Sequence, residues 1–133
     1  MRQRCKAIAL LRRREGMDAQ AFRNYYEERH APLILKLLPG IIAYRRNYAD
    51  FTDAHHFGGA PFDFDVITEI CFESRAARDR AMEIAGRADV AEQIAADEEN
   101  FLDRSATRMF LVDESPSIIA GVSPLGRSIG SRA

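Results

Sequence analysis

Two strand-length runs in this chain are apolar on both faces, and that constrains the fold more than any other feature. Cys5–Leu11 places Cys5, Ala7, Ala9 and Leu11 on one side and Ile8 and Leu10 on the other. Arg104–Asp113 carries Met109, Phe110, Leu111 and Val112, which fill both of its sides. A strand apolar on both faces has to be covered on both. Whatever elements lie between these runs must supply one cover, and something else must supply the other.

Two further strands are expected between them. Ile41–Tyr48 follows the turn at Leu38-Pro39-Gly40. Phe64–Glu73 alternates Val66, Thr68, Ile70 and Phe72 with Asp65, Ile67, Glu69 and Cys71, one face apolar and one bearing carboxylates. The first helix opens at Asp18, an N-cap, with Met17 and Phe22 at the ends of a hydrophobic staple. Phe22, Tyr25, Tyr26 and Arg29 follow helical spacing. Pro32 is expected to break this helix and begin another turn, since proline disfavours the α conformation at Ala31 yet suits a first helical position. Ser74 caps a helix over Arg75–Ala85, Gly86 stops it, and Asp89 caps a further piece through Ala96. The order is β-α-β-β-α-β, an α+β chain of ferredoxin-like type with a four-stranded antiparallel sheet. Helices cover one sheet face, so a second copy is expected on the other, making a homodimer. At 133 residues one domain is expected, over 1–114. Residues 115–133, rich in Ser, Gly and Pro, read as an extended or partly disordered tail.

Composition excludes several functions. Net charge is −1, and Arg12-Arg13-Arg14 has no interleaved aromatics, so no nucleic-acid partner is indicated. No apolar run is long enough for a membrane span, and no signal-peptide pattern opens the chain. Cys5 and Cys71 sit in strand-like runs as free thiols, which suits a cytoplasmic setting. Three histidines and no cysteine pair at ligand spacing leave no metal site, and no phosphate-cradling or dinucleotide glycine motif indicates a cofactor.

The remaining chemistry gathers around Tyr25-Tyr26-Glu27-Glu28-Arg29-His30-Ala31-Pro32. His30 would end a helix, where the dipole favours its protonated form. Imidazole titrates near pH 6.5 and can give or take a proton at neutral pH. A structural cap bonding a backbone carbonyl is the competing role. Tyr44 and Tyr26 could orient or protonate a substrate oxygen, or serve as core aromatics with wetted hydroxyls. Asp65 and Glu69 share a strand face, with carboxylates expected roughly 7 Å apart. Either could act as a base, or both could pair with Arg45 and Arg46. The loop over residues 49–63 holds Phe51, His55, His56, Phe57 and Phe62, and such long loops are often functional. It is expected to line or lid a pocket over His30, with Phe22 and Cys71 also lining it.

Arg-Arg-Arg-Glu-Gly-Met-Asp at 12–18, Phe22, Tyr25-Tyr26, His30-Ala31-Pro32-Leu33, Leu38-Pro39-Gly40, Tyr44 and Thr68–Glu73 together resemble the EthD-like branch of the dimeric α+β barrels. Asp97 and Phe101-Leu102-Asp103-Arg104 extend the resemblance. It implies a dimer of face-to-face sheets with a pocket between each sheet and its helices or loops. It further implies a small-molecule ligand and either cofactor-independent lyase, isomerase, dehydratase or cyclase chemistry, or a non-catalytic accessory role. Cys71, where an aromatic is common, and the histidine-bearing loop depart from the family pattern.

Overall fold

The computed structural model describes residues 4–123. Four strands, β1 (Cys5–Leu11), β2 (Ile41–Tyr48), β3 (Val66–Phe72) and β4 (Arg108–Val112), form one antiparallel sheet in the order β2-β3-β1-β4. The helices are α1 (Ala19–Tyr25), α2 (Ala31–Leu37), α3 (Arg75–Ala85) and α4 (Ala88–Glu98). A π-helical turn, Tyr26–His30, joins α1 to α2. Side chains of β1 and β3 alternate, and Ala7, Ala9, Leu11, Val66, Thr68, Ile70 and Phe72 are buried beneath the helices. One core cluster joins Ala9, Leu11 and Val66 to Phe22, Tyr26, Ala31 and Phe101. The other joins Ala7, Ile70 and Phe72 to Ile34, Leu38, Ala81 and Val90.

Several local readings hold. Asp18 Oδ1 accepts from the Ala21 amide at 2.7 Å, and Ser74 Oγ accepts from that of Ala77 at 3.1 Å. Others need correction. Pro32 does not break the helix, for Ala31 stays helical at φ −60°, ψ −45° and its N–H reaches back to Tyr26 O. The wider turn absorbs the proline, which falls where α2 begins and owes no hydrogen bond. The same turn solves a geometric problem. Phe22, Tyr26, His30 and Ile34 are all buried at spacings of four, and in a pure α-helix such a series drifts about 40° per step off its face. A wider turn takes part of that drift back. His30 therefore sits inside a continuous rod, and the expected helix-end dipole is absent there.

Asp89 lies in the first turn of α4 and does not cap it; the N-cap is Arg87. Arg104–Ala106 is a 3₁₀ turn instead of strand, because the Asp103 carboxylate accepts from the Ser105 amide and hydroxyl and closes the chain locally. β3 is shorter at both ends than the alternation suggested. The sheet face away from the helices presents Ile8, Leu10, Ile67 and Phe110 around Lys6, Glu69 and Cys71, and Phe110 is exposed. Of the expected tail, Ile119 and Val122 make an isolated bridge, and residues 124–133 lie outside the described residues.

Phe101 ties the helical layer together. It is fully buried, with ring centroids 5.1 Å from Tyr25, 5.3 Å from Tyr26, 5.6 Å from Phe22 and 4.8 Å from His30. Phe101→Ala should cost about 3–5 kcal/mol in denaturant unfolding; a loss below about 1 kcal/mol would show that the cluster is not a keystone.

Candidate active site

The π turn and α4 meet at an imidazole. His30 Nδ1 lies 2.8 Å from Asp97 Oδ2. A carboxylate accepts, so Nδ1 carries the hydrogen and the Nε2 lone pair is left free. The other Asp97 oxygen accepts from the Tyr25 hydroxyl at 2.6 Å, and Asn100 Nδ2 donates to that hydroxyl at 2.9 Å. Both carboxylate oxygens are thus held, and the ring orientation is held with them. Burial, and then the bond to Asp97, raises the Tyr25 phenol above its ordinary value.

His30 Nε2 has no hydrogen-bond partner among the described residues; Glu98 Oε2 stands 4.0 Å away. Yet no buried side-chain nitrogen or oxygen among those residues lacks a partner. Nε2 therefore keeps an opening to solvent, although the side chain as a whole is only 4% exposed. The other Glu98 oxygen, Oε1, accepts from Arg104 Nε at 3.2 Å, which leaves Oε2 turned toward the imidazole.

Two phenols adjoin the imidazole through Tyr26. Tyr26 and His30 have ring centroids 5.6 Å apart. The Tyr26 hydroxyl is 2.7 Å from Thr68 Oγ1 and 3.4 Å from the Tyr44 hydroxyl. Burial pushes both phenols above the ordinary range; the Glu98 charge adds to the rise and the Arg46 charge opposes it. The Arg46 guanidinium lies over both rings, 4.8 Å from the Tyr44 centroid and 5.7 Å from that of Tyr26. Glu27 anchors it through two bonds, at 2.6 and 3.0 Å.

Not every expected residue converges here. Phe22 packs against Tyr26 at 6.3 Å within the same core. Glu69 and Cys71 lie on the opposite face of the sheet, where Glu69 pairs with Lys6 at 2.9 Å and accepts from Asn47 at 3.0 Å. Asp65 accepts from the Arg13 amide at 2.8 Å. These two carboxylates do not form a pair about 7 Å apart: four residues separate them, about 13 Å of strand, and each has its own cation. The 49–63 loop does not close over His30. Phe51 and Phe62 stack at 4.5 Å, Phe64 meets them edge-on, and all three line a groove of about 750 Å³ with Arg12, Arg13, Arg14 and Met17. His56 rests on Phe62 at 4.8 Å, while His55 faces Phe57, whose side chain is 97% exposed.

Two residues beside the imidazole escaped sequence reasoning. Asp97 figured only in the family resemblance, and Glu98 in nothing. Their signal was an acidic pair at the end of a helix with no basic partner on its own face. Among the described residues no group of three or more His, Cys, Asp or Glu is arranged to hold a metal ion, and no helix is long and apolar enough to cross a membrane.

The EthD domain model matches residues 14–105. Among solved structures, an EthD family protein from Bacillus halodurans is 24% identical, with TM-score 0.58, over 85% of this chain and 100% of that one. A hydroxynitrile lyase from Passiflora edulis is 10% identical, with TM-score 0.58, over 86% and 98%. A cofactor-independent oxygenase from Streptomyces nogalater is 10% identical, with TM-score 0.56, over 86% and 96%. At these identities the structures establish a shared fold. A comparison with curated protein sequences found no match.

The Arg46 clamp sets an acid dependence. Its bonds to Glu27 hold that carboxyl below the ordinary glutamate range. A depressed value contributes stability above the unfolded value of about 4.3 and loses it as pH falls through the folded value. The stability gap between the wild type and Arg46→Ala should therefore narrow from pH 7 to about pH 3 in urea titrations. A gap that stays constant would mean that the ion pair contributes nothing.

Proposed function

This chain belongs to the EthD domain family, and from that premise we propose that it is a cofactor-independent enzyme of lyase, isomerase or cyclase type. Its substrate would be a small, oxygenated, largely apolar metabolite, aromatic or polyketide-like. His30 gives or takes the proton through Nε2, Asp97 holds its tautomer, and Tyr44 with Tyr26 polarises a substrate oxygen. The observation that carries this reading is the 2.8 Å bond from Nδ1 to Asp97 together with an Nε2 left free. Neighbours of the same fold include a hydroxynitrile lyase and a cofactor-independent oxygenase, which supports the general kind of chemistry.

A different observation favours a second reading, a non-catalytic binding or accessory protein. The groove beside Phe51, Phe62 and Phe64 is lined by no histidine or tyrosine but by several arginines and carboxylates, so it could hold a ligand with an apolar body and a charged end without acting on it. Deuterium incorporation next to the carbonyl of aryl ketones in heavy water separates the two. The wild type should catalyse it. His30→Ala should abolish it, and Asp97→Asn should slow it on the order of 10²-fold or more by losing the tautomer. Ketone binding without exchange in the wild type would establish the accessory role.

The assembly follows from the uncovered sheet face. Ile8, Leu10, Ile67 and Phe110 form an apolar strip that a second copy would bury, giving a homodimer. The free thiols Cys5 and Cys71 suit a reducing, cytoplasmic setting. Sedimentation should show a dimer that Phe110→Asp dissociates. A wild type that remains monomeric at micromolar concentration would contradict this.

A further inference from the structure

We propose that the groove between the Arg12-Arg13-Arg14 run and the 49–63 loop is a binding site for a small aromatic carboxylate. This rests on the second reading above, a binding role for that groove, and makes no use of His30.

One wall of the groove is aromatic and partly open to water. Phe51 and Phe62 remain 39% and 42% exposed, although they stack on each other and meet Phe64 edge-on. Met17, packed against the core, continues this wall. The hollow beside it, about 750 Å³, is within the size range of small-molecule sites. An apolar ligand body placed there would remove both its own surface and these rings from water.

The charged groups of the lining divide into held and free. Three of its four carboxylates already accept hydrogen bonds: Asp63 from Arg108 at 2.7 Å, Asp65 from the Arg13 amide at 2.8 Å, and Asp103 from the Ser105 hydroxyl at 2.6 Å. The fourth, Glu15, is exposed. Of the guanidiniums, that of Arg13 lies 3.6 Å from Asp65. Those of Arg12 and Arg14 have no ion pair or hydrogen bond among the described residues. Backbone bonds set their spacing. The Arg14 amide donates to Phe101 O at 2.8 Å and the Asp103 amide to Arg12 O at 2.9 Å, on either side of the Arg13–Leu102 bridge. The stretch is therefore extended, and Arg12 and Arg14 leave it on the side opposite Arg13, with Cα atoms about 7 Å apart. The free hydrogen-bonding capacity is mainly donor, and a carboxylate matches a guanidinium fork. A neutral ring system would desolvate these cations without a partner. The four carboxylates of the lining would repel a phosphate dianion more than a singly charged end.

The probe is β-naphthoate, with β-naphthamide as its neutral control, each followed by calorimetry and by amide chemical shifts of the full chain. Naphthoate should bind the wild type, shift the amides of residues 12–17 and 62–65, and bind more weakly as ionic strength rises. Naphthamide should bind on the order of 10–100-fold more weakly. The double variant Arg12→Gln, Arg14→Gln should remove that difference by lowering the naphthoate affinity, and Phe62→Ala should weaken both compounds. Equal binding of the two compounds to the wild type, a comparison that needs no variant, would overturn the carboxylate class and leave an apolar groove. A wild type that binds no naphthoate, or binding that the arginine and Phe62 variants leave unchanged, would overturn the site. Naphthoate that instead shifts the residues around His30, and is lost in His30→Ala, would overturn this inference and leave the catalytic reading standing.

Discussion

Asp97 is the group on which the arrangement depends. Its carboxylate takes a phenol on one oxygen and an imidazole on the other, and these come from either side of the join between α1 and the π turn. It thereby fixes the end of α4 against the helical rod at two points five residues apart. A partly buried carboxylate needs partners to offset the hydration it loses. The partners that stabilise it are the same groups whose orientation the proposed chemistry requires. Structure and site are joined in one set of bonds, so the site cannot loosen without loosening the helical layer.

The electrostatics divide by sheet face. Beneath the helices, burial keeps the Tyr26 and Tyr44 phenols protonated, and the Arg46 cation over their rings is compensated by its two bonds to Glu27. On the other face, Lys6, Glu69 and Asn47 satisfy one another amid apolar residues. Such satisfied polar groups leave the surrounding Ile8, Leu10 and Phe110 as the part of that face with something to gain from contact.

Most of the fold was legible from periodicity. The strand alternation placed β1, β2 and β3 closely, and Asp18 and Ser74 marked two helix starts by their capping chemistry. Pro32 was misread because the rule for the residue before proline assumes a regular α ladder, whereas a π turn had already shifted that ladder. Arg104–Ala106 was misread because a local bond from Asp103 outcompeted strand formation. Of the site, His30 and the two tyrosines were legible as residue types at helical and strand spacings. Asp97 and Glu98 were not, because their role depends on packing between elements 67 and 68 residues apart in sequence. Asp65 and Glu69 misled for a plain reason: sharing a face says nothing about which cation lies nearest.

The π turn also bears on how this chain can change over evolutionary time. Helical rods usually accept substitution far more readily than a change in length, because losing one residue rotates everything beyond it by about 100°. Here the wide turn already holds one residue more than an α-helix would. Losing a residue from Tyr26–His30 could be absorbed by relaxation to ordinary α geometry, with the hydrogen-bond ladder of α2 intact. The rod would survive as a helix, while the imidazole would leave its place beside Asp97. Length variation at this turn therefore separates folding from chemistry, and it offers a route by which relatives of one architecture could shed or move a histidine without rebuilding the core around it.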